Sequence, residues 1–112
     1  MNNPHYIDAA KNFFEQWKLH KDRIKIVKAH QDDSEAGRQA VNESEAALHR
    51  ATQIWAEVPM SKGKLMCELH YIYGLTVPEV CEEMVISSMT YYKNVNSILT
   101  ELGKIIENYR KK

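Results

Sequence analysis

The sequence predicts an all-α protein, in which an N-terminal antiparallel helical hairpin is followed by three helices of unequal length. Apolar residues recur at steps of three, four and seven along most of the 112 residues, which is the period of an amphipathic helix. The chain contains only four Gly and three Pro, too few for the many tight turns of an all-β protein. Hydrophobic residues make up 44% of the chain, enough to form a core, so we do not expect wholesale disorder.

Two long helices are predicted in the first half of the chain. The first begins at Pro4, whose missing N–H suits a first helical turn, and its basic stretch Lys18 to Lys28 lies late, where the helix dipole favours cations. A polar turn follows, in which Asp33 or Ser34 caps a second helix from about Glu35 to Glu57. A short turn between two long helices implies an antiparallel hairpin.

Residues 58–63 form the clearest boundary in the chain, because Pro59 disfavours a helical Val58 and Ser61 is a good N-cap. Gly74 is placed to end one helix in a left-handed conformation, and Thr76 to cap the next. The predicted helices run from about Lys62 to Tyr73, Val77 to Met84 and Ser88 to Arg110. We therefore divide the chain into residues 1–58, for oligomerisation or partner contact, and residues 59–112.

Two helices bury one face each, so the hairpin must be covered by the C-terminal half or by a second copy of itself. Its large side chains include Phe13, Phe14, Trp17 and Trp55. Either Trp17 and Trp55 pack on each other across the hairpin, or some of this aromatic surface joins two subunits, since aromatic anchors are typical of interfaces. We expect a homodimer through the N-terminal helices.

The segment from Leu69 to Leu102 has the spacing of a helix-turn-helix: a capped helix of about eight residues, a very short turn and a long helix. Ser87 is placed to cap the long helix, which leaves its first turn exposed. Tyr91 begins a stripe of apolar residues at helical spacing that faces the core, whereas Tyr92 falls on the exposed side. Residues 59–112 are therefore predicted to form a three-helix helix-turn-helix domain.

The motifs Y-x-x-G-L-T-x-x-E-V and I-S-x-x-T-Y-Y-K in this segment resemble the helix-turn-helix of sigma-factor region 4. The T-Y-Y-K variant with an L-x-x-I-I tail is most similar to phage late-gene transcription activators of the ArpU/RinA kind. The resemblance covers roughly Lys64 to Ile106. It implies a phage- or prophage-encoded regulator that binds double-stranded DNA, with host RNA polymerase as a possible partner.

Under this resemblance, the long helix enters the major groove by its N-terminal turn. Side chains of this helix then face the DNA, with Lys suited to guanine, Asn to adenine and Met to a thymine methyl group. The expected contacts are Ser88, Met89, Thr90, Tyr92, Lys93 and Asn96 on the long helix, with Lys62, Lys64 and the N–H groups after Thr76 on the DNA backbone.

The sequence departs from related ones at two positions. Ser88 stands where a basic residue is common and removes a charge from the turn that faces DNA. Val85 stands where Gly is common, and because a left-handed Val is strained, we expect a longer or differently shaped turn.

Charge limits how such a protein would bind DNA. Fifteen basic residues balance fifteen acidic ones, which excludes a histone-like protein held to DNA by bulk charge. From Val85 to Lys112, five basic residues face two acidic ones, a modest local excess. A dimer or a polymerase partner would compensate for weak binding by one domain.

No pattern of catalytic or metal-binding residues is evident. Cys67 and His70 have a C-x-x-H spacing without a second paired cluster, so we expect no zinc, no cofactor and no enzymatic activity. Two cysteines and no signal-like start favour a reducing, cytoplasmic setting. No apolar run approaches the ~20 residues that cross a bilayer, so a membrane is not an expected partner.

Two alternatives remain open at this level. One is a non-enzymatic helical adaptor that keeps the helix-turn-helix shape without touching DNA, which neutral net charge and Ser88 favour. The other is a small terminase-type subunit, which also combines such a domain with helical assembly surfaces.

Overall fold

The computed structural model describes residues 3–30 and 33–111, and all regular structure within them is helical. The predicted polar turn includes Gln31 and Asp32, which lie outside the described residues, as do both chain ends beyond 3 and 111. The helices are α1 (Pro4–Ala29), α2 (Glu35–Ala56), α3 (Lys62–Cys67), a π-helical turn (Glu68–Ile72), α4 (Val77–Met84) and α5 (Ser88–Arg110).

The predicted caps begin four of the helices. Ser34 accepts a hydrogen bond from the N–H of Gly37, which settles the choice between Asp33 and Ser34. Each of the other three capping hydroxyls also accepts from the N–H three residues ahead, at 3.1, 3.3 and 3.2 Å. These caps are Ser61 for α3, Thr76 for α4 and Ser87 for α5. Helix starts are local events, which is why local sequence signals predict them.

The helix predicted from Lys62 to Tyr73 is not a single α-helix. It widens into the π-helical turn, where the N–H of Tyr73 donates to the carbonyl of Glu68, and it ends at Gly74 with φ of +82°. In this turn, Glu68 accepts a hydrogen bond from the indole of Trp55 at 3.0 Å, and the ring of Tyr71 stacks on that of Phe14 with 4.7 Å between the ring centroids. Contacts with other helices therefore accompany the departure from α-helical geometry.

One core joins both halves of the chain. Helix α1 packs against α2 and α5, and its amino end lies beside the carboxyl end of α5, where His5 bonds Glu107. The C-terminal half therefore supplies the cover that the first two helices need. Among the described residues, the buried apolar ones are Ala10, Phe14, Trp55, Val58, Met66, Cys67, Val80, Tyr91, Val95, Leu99, Leu102 and Ile106.

The two tryptophans are arranged around Phe14. Its ring lies 5.2 Å from that of Trp55 and 6.5 Å from that of Trp17. Trp55 is only 5% exposed, so its indole belongs to the core and is not a surface anchor for a second subunit. Trp17 is half-buried at the surface of α1.

Candidate nucleic-acid interface

The first two turns of α5 stand at the surface of the protein. Met89 is 80% exposed and Tyr92 51% exposed, and Ser88, Thr90 and Lys93 are also exposed. Asn96, two turns from the start of the helix, is half-buried. The described residues of the first half of the chain leave these side chains exposed, and the predicted residues of α5 lie together on this tip.

The opposite face of α5 holds this tip in place. Tyr91 is 1% exposed and Val95 2% exposed, and both pack into the core with Val80 of α4. Burial raises the pKa of the Tyr91 hydroxyl, so it stays protonated at neutral pH. The assignment of Tyr91 to the core and of Tyr92 to the exposed side is confirmed.

The connection between α4 and α5 is short, contrary to the expectation of a longer or differently shaped turn. Val85 itself adopts the left-handed conformation, with φ of 54° and ψ of 54°. The N–H of Ile86 donates to the carbonyl of Cys81 at 3.0 Å, which closes the end of α4. Val85 is 89% exposed, so no packing contact offsets the backbone strain of a β-branched residue in this region.

The backbone at the start of α5 has unused donors. Ser87 accepts from the N–H of Thr90, and its hydroxyl also donates to the Thr90 side chain at 3.0 Å. The N–H groups of Ser88 and Met89 have no acceptor within the helix. Since α5 has no acidic residue in its first turn, this end is suited to an anion such as a phosphate.

The start of α4 is less suited to a phosphate than the sequence indicates. Pro78 has no N–H, and the N–H of Glu79 already donates to Thr76. The carboxylate of Glu79 accepts from the N–H of Thr76 at 3.0 Å, and these hydrogen bonds lower its pKa. An ionised carboxylate therefore lies at this helix end, which makes the predicted contact of its N–H groups with a DNA phosphate less favourable.

Lys64 does not reach the surface. It is 5% exposed, its Nζ donates to the carbonyl of Val58 at 2.7 Å, and the same atom lies 5.0 Å from the centroid of the Trp55 ring. The expected contact of Lys64 with a DNA backbone therefore does not fit this geometry, because its ammonium group is buried and hydrogen-bonded within the protein. Lys64 joins the end of α2 to α3.

Lys62, by contrast, is exposed. The neighbouring Gly63 packs closely on α5, where a Cβ would lie 2.9 Å from Ile98 and 3.2 Å from the carbonyl of Asn94. This close approach places Lys62 beside the second and third turns of α5. Lys62 and Lys93 are thus the exposed basic residues of α3 and of the first two turns of α5.

A groove of about 440 Å³ runs between α1 and the segment that leads from the π-helical turn into α4. Lys18 and Lys21 line its α1 side, and Tyr73 and Thr76 line the other. In the sequence, the α1 side of this groove corresponds to the basic stretch Lys18 to Lys28. Its position near the end of α1 was attributed only to the helix dipole, so the groove was not predicted.

The potential metal ligands do not converge. Burial, followed by the neighbouring Glu68 charge, raises the pKa of the Cys67 thiol to about 12, and His70 Nδ1 lies 2.7 Å from the carbonyl of Leu75. Within residues 3–30 and 33–111, no three His, Cys, Asp or Glu side chains are grouped so that they could hold a metal ion. No helix in the same ranges is long and apolar enough to cross a bilayer.

No protein-family model, curated protein or solved structure matches this chain significantly.

Proposed function

We propose that this protein is a sequence-specific DNA-binding transcriptional regulator, in which α4, the turn at Val85 and α5 act as a helix-turn-helix. The observation that supports it best is the tip of α5: a capped, exposed helix end on a buried support, with no acidic residue in its first turn. An α-helix of this kind fits the major groove of B-DNA.

The side chains of this tip have distinct roles in the proposal. Met89, Lys93 and Asn96 follow one another at helical spacing, so they lie on one face. Lys93 donates to guanine, the Asn96 amide pairs with adenine and Met89 contacts a thymine methyl group. The Tyr92 hydroxyl and the N–H groups of Ser88 and Met89 bind phosphate or sugar and set the register of the helix.

The resemblance to phage late-gene activators extends the proposal to the biological setting. A phage- or prophage-encoded regulator would act in the bacterial cytoplasm on a promoter, with host RNA polymerase as its partner. A two-fold dimer would suit an inverted-repeat site. Because Phe14 and Trp55 are buried, the half-buried Phe13 and Trp17 are the aromatic residues of this set that remain for a dimer surface. Sedimentation as a monomer would exclude this mode of assembly.

The test is selection of a DNA site from a random library, followed by affinity measurements with two matched variants. Lys93→Ala removes the proposed base contact, and Lys104→Ala removes the same charge from an exposed site on the same helix, about 16 Å further along. We expect Lys93→Ala to weaken specific binding by about 5- to 150-fold, and Lys104→Ala to have little effect.

Two results would contradict the proposal. The first is failure of the wild-type protein to bind any selected or random duplex at low salt, where phosphate contacts are strongest. The second is an equal effect of Lys93→Ala and Lys104→Ala, because that would reflect overall charge and not a contact of the α5 tip.

The α5 tip also favours a second candidate function, a non-enzymatic protein-interaction adaptor. Val85, Met89 and Tyr92 expose apolar surface close to the exposed carboxylates of Glu82 and Glu83. An apolar centre with an acidic rim is suited to a protein partner that has a basic rim. A salt titration separates the two functions: an adaptor shows negligible DNA binding at every salt concentration, whereas a DNA reader loses affinity linearly on logarithmic axes.

A further inference from the structure

The proposed helix-turn-helix supplies few of the cations that DNA binding needs. On α3, α4 and the tip of α5, the exposed basic residues are Lys62 and Lys93, since Lys64 is buried. They are outnumbered by the exposed carboxylates of Glu79, Glu82 and Glu83. Because phosphate neutralisation provides most of the non-specific affinity for DNA, further basic residues must take part if the protein binds a duplex.

Helix α1 has such residues on one face. Lys18, Lys21 and Lys25 are spaced three and four residues apart, so their side chains lie in a row, and all three are exposed. Lys28 continues the spacing but lies 3.9 Å from Glu45 of α2. Between Lys18 and Lys28, five basic residues accompany a single acidic residue, Asp22.

The row of lysines lies near the proposed DNA-binding tip. Lys18 and Lys21 line the same groove as Thr76, and α4 leads from Thr76 to the turn before α5 over about 12 Å. The major groove of B-DNA has a similar width of about 12 Å. A duplex that receives α5 has a phosphate strand on each side of this groove, at distances comparable to that between the α5 tip and the groove that Lys18 and Lys21 line.

A second set of contacts fixes α1 relative to α5. The ring of Phe14 stacks on Tyr71, and the neighbouring His70 lies 6.3 Å from the ring of Tyr91 in the first turn of α5. Lys18 follows Phe14 by one helical turn, so the row begins one turn beyond these contacts and continues along α1.

From this placement we propose that Lys18, Lys21 and Lys25 contact the phosphate backbone of the same duplex that receives the tip of α5. The inference rests on the proposed function and identifies where its electrostatic affinity originates. Glu15 and Asp22 also line the groove, so the attraction is local to the lysine row and is not a field of the whole surface.

The test compares two triple variants by fluorescence anisotropy with the selected duplex, over a range of salt from about 50 to about 300 mM. One variant combines Lys18→Gln, Lys21→Gln and Lys25→Gln. The control combines Lys104→Gln, Arg110→Gln and Lys111→Gln, which removes the same charge from the far end of α5. All six side chains are exposed, and circular dichroism verifies that both variants fold.

We expect the α1 variant to reduce the slope of log affinity against log salt by about 2 to 3, because each lost phosphate contact accounts for about 0.9. The control should leave the slope unchanged. An equal reduction in both variants, or none in the α1 variant, would overturn the inference. If these results occur while Lys93→Ala still weakens binding, the proposed function stands without it, whereas absence of wild-type binding contradicts the function itself.

Discussion

Gly103 of α5 lies directly against the backbone of Tyr6 in α1, so that a Cβ at position 103 would lie 2.5 Å from the Cβ of Tyr6. The two helices touch here without an intervening side chain. This contact joins the start of α1 to the end of α5 and sets the alignment of the two helices along their shared core.

Substitution of Gly103 by Ala is expected to destabilise the protein by about 1 to 3 kcal/mol, because the added methyl group collides with Tyr6 and the helices must separate. An Ala normally stabilises a helix relative to Gly, so the sign of the effect identifies the close contact. Urea unfolding measures it. Ser97→Ala, at an exposed site of the same helix, should change the free energy of unfolding by less than about 0.5 kcal/mol.

Lys64 and Lys62 are expected to have opposite roles although they are two residues apart. Lys64→Ala leaves the buried carbonyl of Val58 without its donor and removes the packed stem, which costs about 1 to 3 kcal/mol of unfolding free energy. The salt slope of DNA binding should not change. Lys62→Ala should preserve stability and reduce that slope by about 1. A change in slope for Lys64→Ala would show that its ammonium group reaches DNA.

Val85→Gly is expected to stabilise the protein, by about 0.5 to 1 kcal/mol. Glycine adopts the left-handed conformation of Val85 without a steric penalty. Because the Val85 side chain is exposed, its removal loses little packing. Thermal unfolding provides the measurement, and Val85→Ala is the control that removes branching but keeps a Cβ. A loss of stability in the glycine variant would indicate that the Val side chain makes contacts that matter more than its strain.

The capping box at the start of α4 should make stability depend on pH. Hydrogen bonds from Thr76 lower the pKa of Glu79 in the folded state, so the ionised form contributes stability above the unfolded pKa, and this is lost as pH falls through the lower folded pKa. Glu79→Gln keeps an acceptor but removes the charge. The stability difference from wild type should therefore shrink between about pH 5 and about pH 3. Glu83→Gln, outside the box, is the control.

The two cysteines should differ in their reaction with a thiol reagent. Cys67 is fully buried, and burial raises its pKa to about 12, so little reactive thiolate forms in the folded protein. Cys81 is partly exposed. We expect Cys81 to react first in the native state and Cys67 only after unfolding in urea. Mass spectrometry of the modified peptides distinguishes them, and early labelling of Cys67 would contradict the packing of α3.

The parts of the fold that local signals specify were predictable from the sequence. Ser61, Thr76 and Ser87 cap helices where expected because a hydroxyl needs only the N–H three residues ahead. The exposed tip of α5 followed from the spacing of its apolar residues. These interactions span a few residues and do not depend on how the helices are arranged in space.

Features that depend on distant contacts were not predictable in this way. Lys64 is buried because it contacts Trp55 in the last turn of α2 and the carbonyl of Val58 just after it, and no local pattern distinguishes it from the exposed Lys62. The π-helical turn likewise coincides with contacts to Phe14 and Trp55. The basic row on α1 was visible as composition, but its nearness to α4 required the tertiary structure.

The different settings of the two tryptophans give the protein intrinsic optical probes. Trp55 is enclosed in the core, whereas Trp17 lines the groove beside Lys18 and Lys21. In a Trp55→Phe variant, all indole emission would arise from the single fluorophore next to the basic row. Quenching or a spectral shift on adding a duplex would then report occupancy of that groove without an attached dye.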